Sequence, residues 1–181
     1  MSSRTKTKRP LLERARRVRL AIFDVDGVLT DGRLYVSSRG EEFKAFHILD
    51  GHGLRMLGDS GVALAILSGR RSRAVAGRAR ELGIAHVIQG ASEKLTAYRS
   101  LLRKVRLTER NTAFMGDDLP DLPVLRHCGL AISVPGAPAL VRAHAHYVTS
   151  APAGGGAVRE ACELIMRAQG TLDARLESYL R

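Results

Sequence analysis

Several residue types are scarce in this chain, and each shortage excludes a class of protein. The 181 residues include no tryptophan, four tyrosines, four phenylalanines and two cysteines. Cys128 and Cys162 each stand among apolar residues. We therefore expect buried free thiols in a reducing cytoplasm, and neither a disulfide nor a metal-binding pair. The aromatic side chains are too few, and too rarely interleaved with basic residues, to stack nucleic-acid bases.

Long apolar runs are missing as well. None reaches the roughly 18 residues that a membrane span requires. The N-terminal segment MSSRTKTKRP is charged and lacks the apolar stretch of a secretory signal. We therefore predict a cytoplasmic protein that does not enter a membrane.

Acidic residues are in deficit, with 18 against 29 basic residues and a net charge of +11. Eight basic residues and one acidic residue fall within positions 1–19, so this stretch alone carries +7. A basic arm can bind nucleic acid or acidic lipid, but more often it is a solvated leader. We assign 1–18 to a basic leader with a first amphipathic helix, LLERARRVRL, and do not expect a nucleic-acid partner.

Strand-like apolar runs alternate with helical periodicity along most of the chain. The predicted strands are 20–25, 62–67, 86–88, 112–115, 130–134 and 147–149, and the predicted helices are 54–59, 72–82, 92–105, 122–127, 137–143 and 157–168. Ser92 is the expected N-cap of the helix 92–105. The alternation predicts an α/β fold with a Rossmann-like, doubly wound parallel sheet, in one domain over 19–170 followed by a tail at 171–181.

One segment departs from this alternation. Residues 33–38 and 42–48 alternate like two strands around a turn at 38–41. We predict a small β-hairpin inserted after the first strand and call residues 33–48 the flap. Ordinary helices and strands fill 68–111, so no cap domain is expected.

The most informative motif is DVDGVLT, which follows the apolar run LAIF. Asp24 and Asp26 stand two residues apart at the predicted carboxyl end of a buried strand, where ligands bind in such sheets. Hard carboxylate oxygens suit Mg²⁺ beside a phosphate. We predict that Asp24 is the nucleophile and Asp26 the general acid and base of a phosphoryl transfer. A solvated acidic turn is the alternative interpretation.

Three further segments supply polar residues where the fold places strand ends or helix starts. Ser68 is predicted to donate to a phosphoryl oxygen, and Lys94 to bring a positive charge to the same oxygens. Asp117 is predicted to complete the metal site with Asp24 and Asp26. Asp118 and Asp121 are predicted to hold the groups of this site in place without binding the metal. Each has an ordinary alternative: a turn at Ser68, a solvated lysine at 94, and a helix N-cap cluster at 117–121.

The order of these motifs resembles that of the haloacid dehalogenase superfamily. The segments DVDGVLTDG, KAFHILDGHGLRML, ILSGRRS, QGASEKL, MGDDLPDLPVL and GGGAVREACELIMRAQG are similar to those of its capless 3-deoxy-D-manno-octulosonate 8-phosphate phosphatases. The resemblance covers about residues 10–170. It implies a Mg²⁺-dependent phosphatase acting through an aspartyl-phosphate on a phosphorylated eight-carbon sugar acid, in the synthesis of the inner lipopolysaccharide sugar.

The same resemblance implies a set of substrate contacts. They are His47, Ile48, Leu49, Asp50, Gly51, Arg55, Arg70, Arg78 and Lys94. Arginines suit the carboxylate of a sugar acid because they bind it in a bidentate manner. Arg78 has the alternative of a solvated helix-face charge, and His47 that of a buried, hydrogen-bonded flap residue.

The resemblance also implies a homotetramer with the flaps packed at its centre. We further predict that a flexible stretch at Gly154, Gly155 and Gly156, with Arg159 orienting it, acts as a lid over a neighbouring subunit's site. An ordinary joint to a peripheral helix is the alternative for these glycines. Two other functions stay open: a phosphatase of a nine-carbon sugar-acid phosphate, and a non-catalytic protein that binds through the basic leader.

Overall fold

Eight strands and eight α-helices form the part of the chain that the computed structural model describes, residues 3–39 and 42–181. The strands are β1 (Leu20–Phe23), β2 (Tyr35–Val36), β3 (Glu42–Phe43), β4 (Ala63–Ser68), β5 (His86–Gln89), β6 (Thr112–Met115), β7 (Leu130–Ser133) and β8 (Tyr147–Val148). The helices are α1 (Ser3–Arg16), α2 (Ile48–Asp59), α3 (Arg73–Glu81), α4 (Lys94–Val105), α5 (Leu122–Leu125), α6 (Ala139–His144), α7 (Ala157–Gln169) and α8 (Leu172–Glu177).

Six strands form one parallel sheet in the order β5-β4-β1-β6-β7-β8. The sheet's centre is β1, whose four residues are all buried. Because crossovers between parallel strands are right-handed, α2 and α3 cover one face, and α4 and α5 cover the other. Helix α7 packs against α2 and α1 and so joins the first layer. The predicted doubly wound α/β fold is confirmed.

The two strands of the flap are shorter than the sequence suggests. Strands β2 and β3 pair antiparallel, with Tyr35 opposite Phe43 and Val36 opposite Glu42. Residues 40 and 41 of the predicted turn lie outside the described residues. The hairpin is thus the insertion between β1 and α2 that the alternating pattern predicts.

Helix α2 begins at Ile48, whereas the sequence pattern predicts a start at Leu54. The sequence pattern does not indicate the first turns of α2, because they contain Gly51 and Gly53 and glycine is a poor helix former. Their positions have a packing reason: a Cβ at Gly51 would overlap the Arg78 side chain, and one at Gly53 would press on Arg159. The two glycines let α2 lie close to α3 and α7.

Two other predicted helix starts are wrong. Helix α4 begins at Lys94, and the residue before it, Glu93, makes no side-chain capping bond, so Ser92 is not its N-cap. Helix α1 begins at Ser3, before the predicted helix 11–20. It ends at Arg16, and Leu20 already belongs to β1. Its second half is docked on the domain: Ala15 is buried, and Arg14 Nη1 donates to the Gly129 carbonyl at 2.8 Å.

The C-terminal region completes the core. Helix α7 buries one face, including Val158, Cys162 and Ile165, and α8 buries Leu172. Cys128 and Cys162 are both buried free thiols, as the sequence predicts. Within the described residues, no helix combines the length and the apolarity that crossing a membrane would take.

Candidate active site

The carboxyl ends of β4, β1 and β6 lie side by side and bring several polar side chains together. Asp24 follows β1 directly, and its backbone N–H donates to the Met115 carbonyl at 3.0 Å. Ser68 is the last residue of β4, and Asp117 lies two residues beyond β6. The pocket at this edge is lined by Asp24, Asp26, Ser68, Arg70, Lys94, Asp117, Asp118 and Asp121, among others. The structure therefore brings residues of all four motifs to one place.

A tight turn after β1 sets the two aspartates of the DxD motif. The Thr30 backbone N–H and hydroxyl donate to the Val25 carbonyl, at 3.0 and 3.3 Å. Gly27 has φ +84°, in the left-handed region that favours glycine. A Cβ at this position would overlap the Asp117 carboxylate. Only glycine therefore allows the turn and Asp117 to approach each other this closely.

Carboxylate oxygens of Asp24, Asp117 and Asp121 lie within 4.8 Å of one another. Asp24 Oδ1 and Asp117 Oδ1 are buried and accept no hydrogen bond from the described residues. Burial and the neighbouring carboxylates raise the pKa of Asp24 to about 6 and that of Asp117 to about 7. Unpartnered oxygens among like charges fit a divalent cation such as Mg²⁺.

The Asp26 carboxylate is not part of this cluster, although the sequence predicts it among the metal ligands. Asp121 is part of it, but its oxygens are already used. Asp121 Oδ1 accepts from Lys94 Nζ at 2.6 Å, and Oδ2 accepts from the backbone N–H of Asp117 at 3.0 Å. Asp24 and Asp117 are therefore the carboxylates free to hold the cation, and Asp121 fixes their surroundings.

Lys94 is a buried cation among these carboxylates. Its Nζ lies 3.0 Å from Asp24 Oδ2 and 2.6 Å from Asp121 Oδ1, and its side chain is 7% exposed. Burial alone would lower its pKa, but the two carboxylates together raise it. The alternative of a solvated lysine is excluded.

Ser68 and Asp118 occupy different environments. Ser68 is buried at the strand end, and its hydroxyl accepts from the Arg70 backbone N–H at 3.3 Å. Asp118 is exposed, and its carboxylate accepts from the Leu119 backbone N–H at 2.8 Å. Asp118 therefore caps the short turn 119–121, in agreement with the N-cap alternative, while its predicted supporting role stays a prediction.

The flap contributes two residues that the sequence reasoning missed. Lys44 Nζ contacts Asp26 Oδ1, and Arg70 Nη2 donates to Glu42 Oε2 at 2.6 Å. A signal was available, because Glu42 and Lys44 stand two residues apart in a predicted strand and so share a face. The Arg70 side chain thereby joins the flap to the pocket.

The other predicted substrate contacts lie elsewhere in the chain. Arg55 Nη2 donates to the Glu81 carbonyl at 2.9 Å, and Arg78 Nη1 pairs with the Glu81 carboxylate at 2.8 Å. Both arginines line a cavity together with Ile48 and Gly51. This cavity shares no lining residue with the pocket around Asp24. Leu49 is exposed, and His47 is half-buried with no hydrogen-bond partner for Nδ1 among the described residues.

Asp50 has a structural role in this chain. It is buried and accepts from the backbone N–H groups of Gly156 at 3.2 Å and Arg159 at 2.8 Å. The carboxylate thus ties α2 to the first turn of α7, where negative charge is favourable. Each carboxylate oxygen thus already accepts one hydrogen bond within the chain, and the predicted substrate contact of Asp50 stays a prediction.

The glycine stretch before α7 packs against the turn after β1 within this chain, and its predicted role as a lid over a neighbouring subunit's site stays a prediction. The Gly154 backbone N–H donates to the Val28 carbonyl at 3.2 Å, and a Cβ at Gly154 would press on the backbone of Thr30 and Asp31. The Arg159 side chain pairs with Glu163 at 2.6 Å on the same helix. Helix α7 belongs to the core, so the residues that follow the glycines also stabilise the fold.

Asp117 offers a test of the cation site. Asp117→Asn removes one of two unpartnered carboxylates, so we expect the Mg²⁺ concentration for half-maximal phosphatase activity to rise at least about tenfold. A Mg²⁺ titration of activity measures this, with the exposed Asp173→Asn as the matched control. An unchanged Mg²⁺ requirement in Asp117→Asn would remove Asp117 from the metal site.

Comparisons with known proteins find relatives of this chain by sequence and by structure. A family model of haloacid dehalogenase-like hydrolases matches residues 81–160. The 3-deoxy-D-manno-octulosonate 8-phosphate phosphatase KdsC of Yersinia pestis is 46% identical over 163 residues, which cover 90% of this chain and 87% of the relative.

Two solved structures are similar throughout. A probable YrbI family phosphatase from Pseudomonas syringae is 50% identical with a TM-score of 0.94, over 95% of this chain and 98% of that one. The 3-deoxy-D-manno-octulosonate 8-phosphate phosphatase of Moraxella catarrhalis, in complex with magnesium ion, phosphate ion and KDO, is 46% identical with a TM-score of 0.92, over 93% and 97% of the two chains.

Proposed function

The chain belongs to the 3-deoxy-D-manno-octulosonate 8-phosphate phosphatases of the haloacid dehalogenase superfamily, and from this premise we propose that it hydrolyses that sugar-acid phosphate to the free sugar acid and inorganic phosphate. The reaction would serve the synthesis of lipopolysaccharide. The observation that carries the proposal is that Asp24 and Asp117, which follow two strand ends, line one pocket with Asp26 and with Lys94 from the start of α4.

The first step forms a bond between an Asp24 carboxylate oxygen and phosphorus while the bond from phosphorus to the sugar oxygen breaks. Asp26 gives its proton to the departing sugar oxygen, which would otherwise leave as a poor alkoxide. Lys94 holds Asp24 in place and supplies positive charge to the phosphoryl oxygens. Ser68, the last residue of the neighbouring strand β4, would donate its hydroxyl to one of them.

The second step hydrolyses the aspartyl-phosphate. Asp26, now a carboxylate, takes a proton from a water molecule, whose oxygen attacks phosphorus. The bond from phosphorus to Asp24 breaks, and phosphate leaves. Asp24 and Asp117 would hold the Mg²⁺ cofactor, which would neutralise the carboxylates and the phosphoryl oxygens so that like charges can meet.

We also propose that Arg55, Arg78 and the segment 47–51 contact the substrate of a neighbouring subunit. Their cavity is separate from the pocket around Asp24 in the same chain. Large apolar side chains are exposed on the flap and on the start of α2: Leu34, Tyr35, Val36, Phe43, Ile48 and Leu49. Such a patch on a small domain suits burial between copies of the chain. A homotetramer with packed flaps would provide it, and light scattering that finds a monomer would contradict it.

A cytoplasmic location completes the proposal. It rests on the two free thiols, Cys128 and Cys162, which are compatible with a reducing compartment. Retention of the native protein in the periplasmic fraction of its host would contradict this assignment.

Phosphate release from a panel of substrates tests the proposed function. With Mg²⁺ present, we expect kcat/KM for 3-deoxy-D-manno-octulosonate 8-phosphate to exceed that for a nine-carbon sugar-acid phosphate and for p-nitrophenyl phosphate by at least about tenfold, since even one extra or missing methylene group changes kcat/KM by about 10–200-fold. A preference for the nine-carbon compound would reassign the substrate. No turnover of any phosphomonoester, alongside tight nucleic-acid binding, would support a non-catalytic protein.

A further inference from the structure

Lys44 is a buried lysine in a part of the chain that has little core of its own. Its side chain is 2% exposed, while the flap strands β2 and β3 contain two residues each. Burying an ammonium group is unfavourable unless carboxylates compensate for the lost water. Two do so here: Lys44 Nζ contacts Asp26 Oδ1 and lies 3.2 Å from Glu42 Oε1.

These contacts are part of a closed ring of four charged side chains. Glu42 Oε2 accepts from Arg70 Nη2 at 2.6 Å, and Arg70 Nε lies 3.8 Å from Asp26 Oδ2. The ring therefore runs from Asp26 to Lys44, Glu42, Arg70 and back. Two members come from the flap and two from the strand ends. Each oxygen of Asp26 thus faces a different cation.

The ring constrains a side chain that is otherwise free to turn. Asp26 follows the strand end, precedes the glycine with φ +84°, and is 22% exposed. A general acid has to lie within about 2.6–3.2 Å of the oxygen that it protonates. Lys44 does not line the pocket around Asp24, whereas Asp26 and Arg70 do. Lys44 is therefore connected to the pocket through its contacts with Asp26 and Glu42.

We infer that Lys44 is a positioning residue, which holds the Asp26 carboxylate in the orientation needed for both proton transfers. The inference rests on the proposed function and extends it from the strand ends to the flap. Docking of the flap onto the sheet then orients Asp26 as the general acid and base, because Lys44 reaches Asp26 only when the flap is in place.

p-Nitrophenyl phosphate separates this role from a general structural one. Nitrophenolate departs without being protonated, so the first step with this substrate does not need Asp26. Hydrolysis of the aspartyl-phosphate still needs Asp26 to take a proton from water. Loss of Lys44 should therefore slow the second step and spare the first.

The test is rapid-mixing kinetics of the full-length protein with Mg²⁺ and p-nitrophenyl phosphate. In Lys44→Met we expect a burst of about one nitrophenolate per site at a rate within about twofold of the wild type, followed by a steady rate at least about tenfold lower. KM should fall with kcat because the phosphorylated enzyme accumulates. Lys104→Met, an exposed lysine at the end of α4, should match the wild type.

Equal losses in the burst and in the steady rate, or no loss in either, would overturn the inference. Lys44→Arg keeps the charge with a different head group, and we expect its steady rate to lie between those of the wild type and Lys44→Met. An arginine variant that is folded yet slow in both steps would also overturn it. A wild type that cleaves p-nitrophenyl phosphate but no sugar-acid phosphate would refute the proposed substrate and leave this test intact.

Discussion

Asp24→Asn is expected to lower the turnover of every phosphomonoester by about 10⁴-fold or more while the protein stays folded. An amide oxygen does not attack phosphorus, so no covalent intermediate forms. The fold should survive because burial and the neighbouring carboxylates already raise the pKa of Asp24 to about 6. Removing this charge relieves repulsion from Asp121 and Asp117.

The measurement is steady-state phosphate release at saturating Mg²⁺, with thermal unfolding recorded for each variant. Asp26→Asn should be similarly inactive on the sugar-acid phosphate, because its leaving oxygen needs a proton. Asp173→Asn, an exposed aspartate of α8, serves as the matched control and should keep wild-type turnover. Near-wild-type activity in Asp24→Asn would exclude the covalent mechanism.

Lys94→Met is expected to lower both stability and activity. The substitution leaves Asp24 and Asp121 buried without the cation that now lies 3.0 and 2.6 Å from them. Removing one partner of a buried ion pair costs about 3–5 kcal/mol, and we expect a loss of this size in the free energy of unfolding without Mg²⁺. Turnover should fall by about 10²–10³-fold, as when one charge-stabilising group is removed from an active site.

Urea unfolding in the presence of a chelator, and then with Mg²⁺, measures the first effect. Mg²⁺ should recover part of the lost stability in Lys94→Met, since it neutralises the same carboxylates. Lys104→Met makes the identical change on the surface and should unfold like the wild type. Wild-type stability of Lys94→Met in chelator would show that Lys94 does not compensate the buried carboxylates.

The strand ends of this site could be predicted from the sequence because they follow from local pattern. An apolar run ending in Asp24 predicts both the strand and the side chain at its carboxyl end, and the same holds for Ser68 and Asp117. Parallel strands then place these ends together. The buried Lys94 pairs with Asp121 because the start of α4 meets the turn after β6.

Contacts between segments distant in sequence could not be predicted in the same way. Lys44 reaches Asp26 only through the docking of the flap, and Asp50 finds its partners more than 100 residues away at the start of α7. The three glycines at 154–156 suggested flexibility from composition alone. In the structure Gly154 allows close packing against the backbone of Thr30 and Asp31. Glycine permits mobility and close approach alike, and only the surroundings decide between them.

The central claim is that Asp24 becomes phosphorylated during turnover. The most direct measurement is mass spectrometry of the enzyme quenched in acid during Mg²⁺-dependent hydrolysis of the sugar-acid phosphate, with Lys44→Met used to enrich the intermediate. We expect phosphate on the peptide that contains Asp24, and none on that peptide in Asp24→Asn. Steady turnover with no phosphate on Asp24 at any quench time, in either the wild type or Lys44→Met, would contradict it.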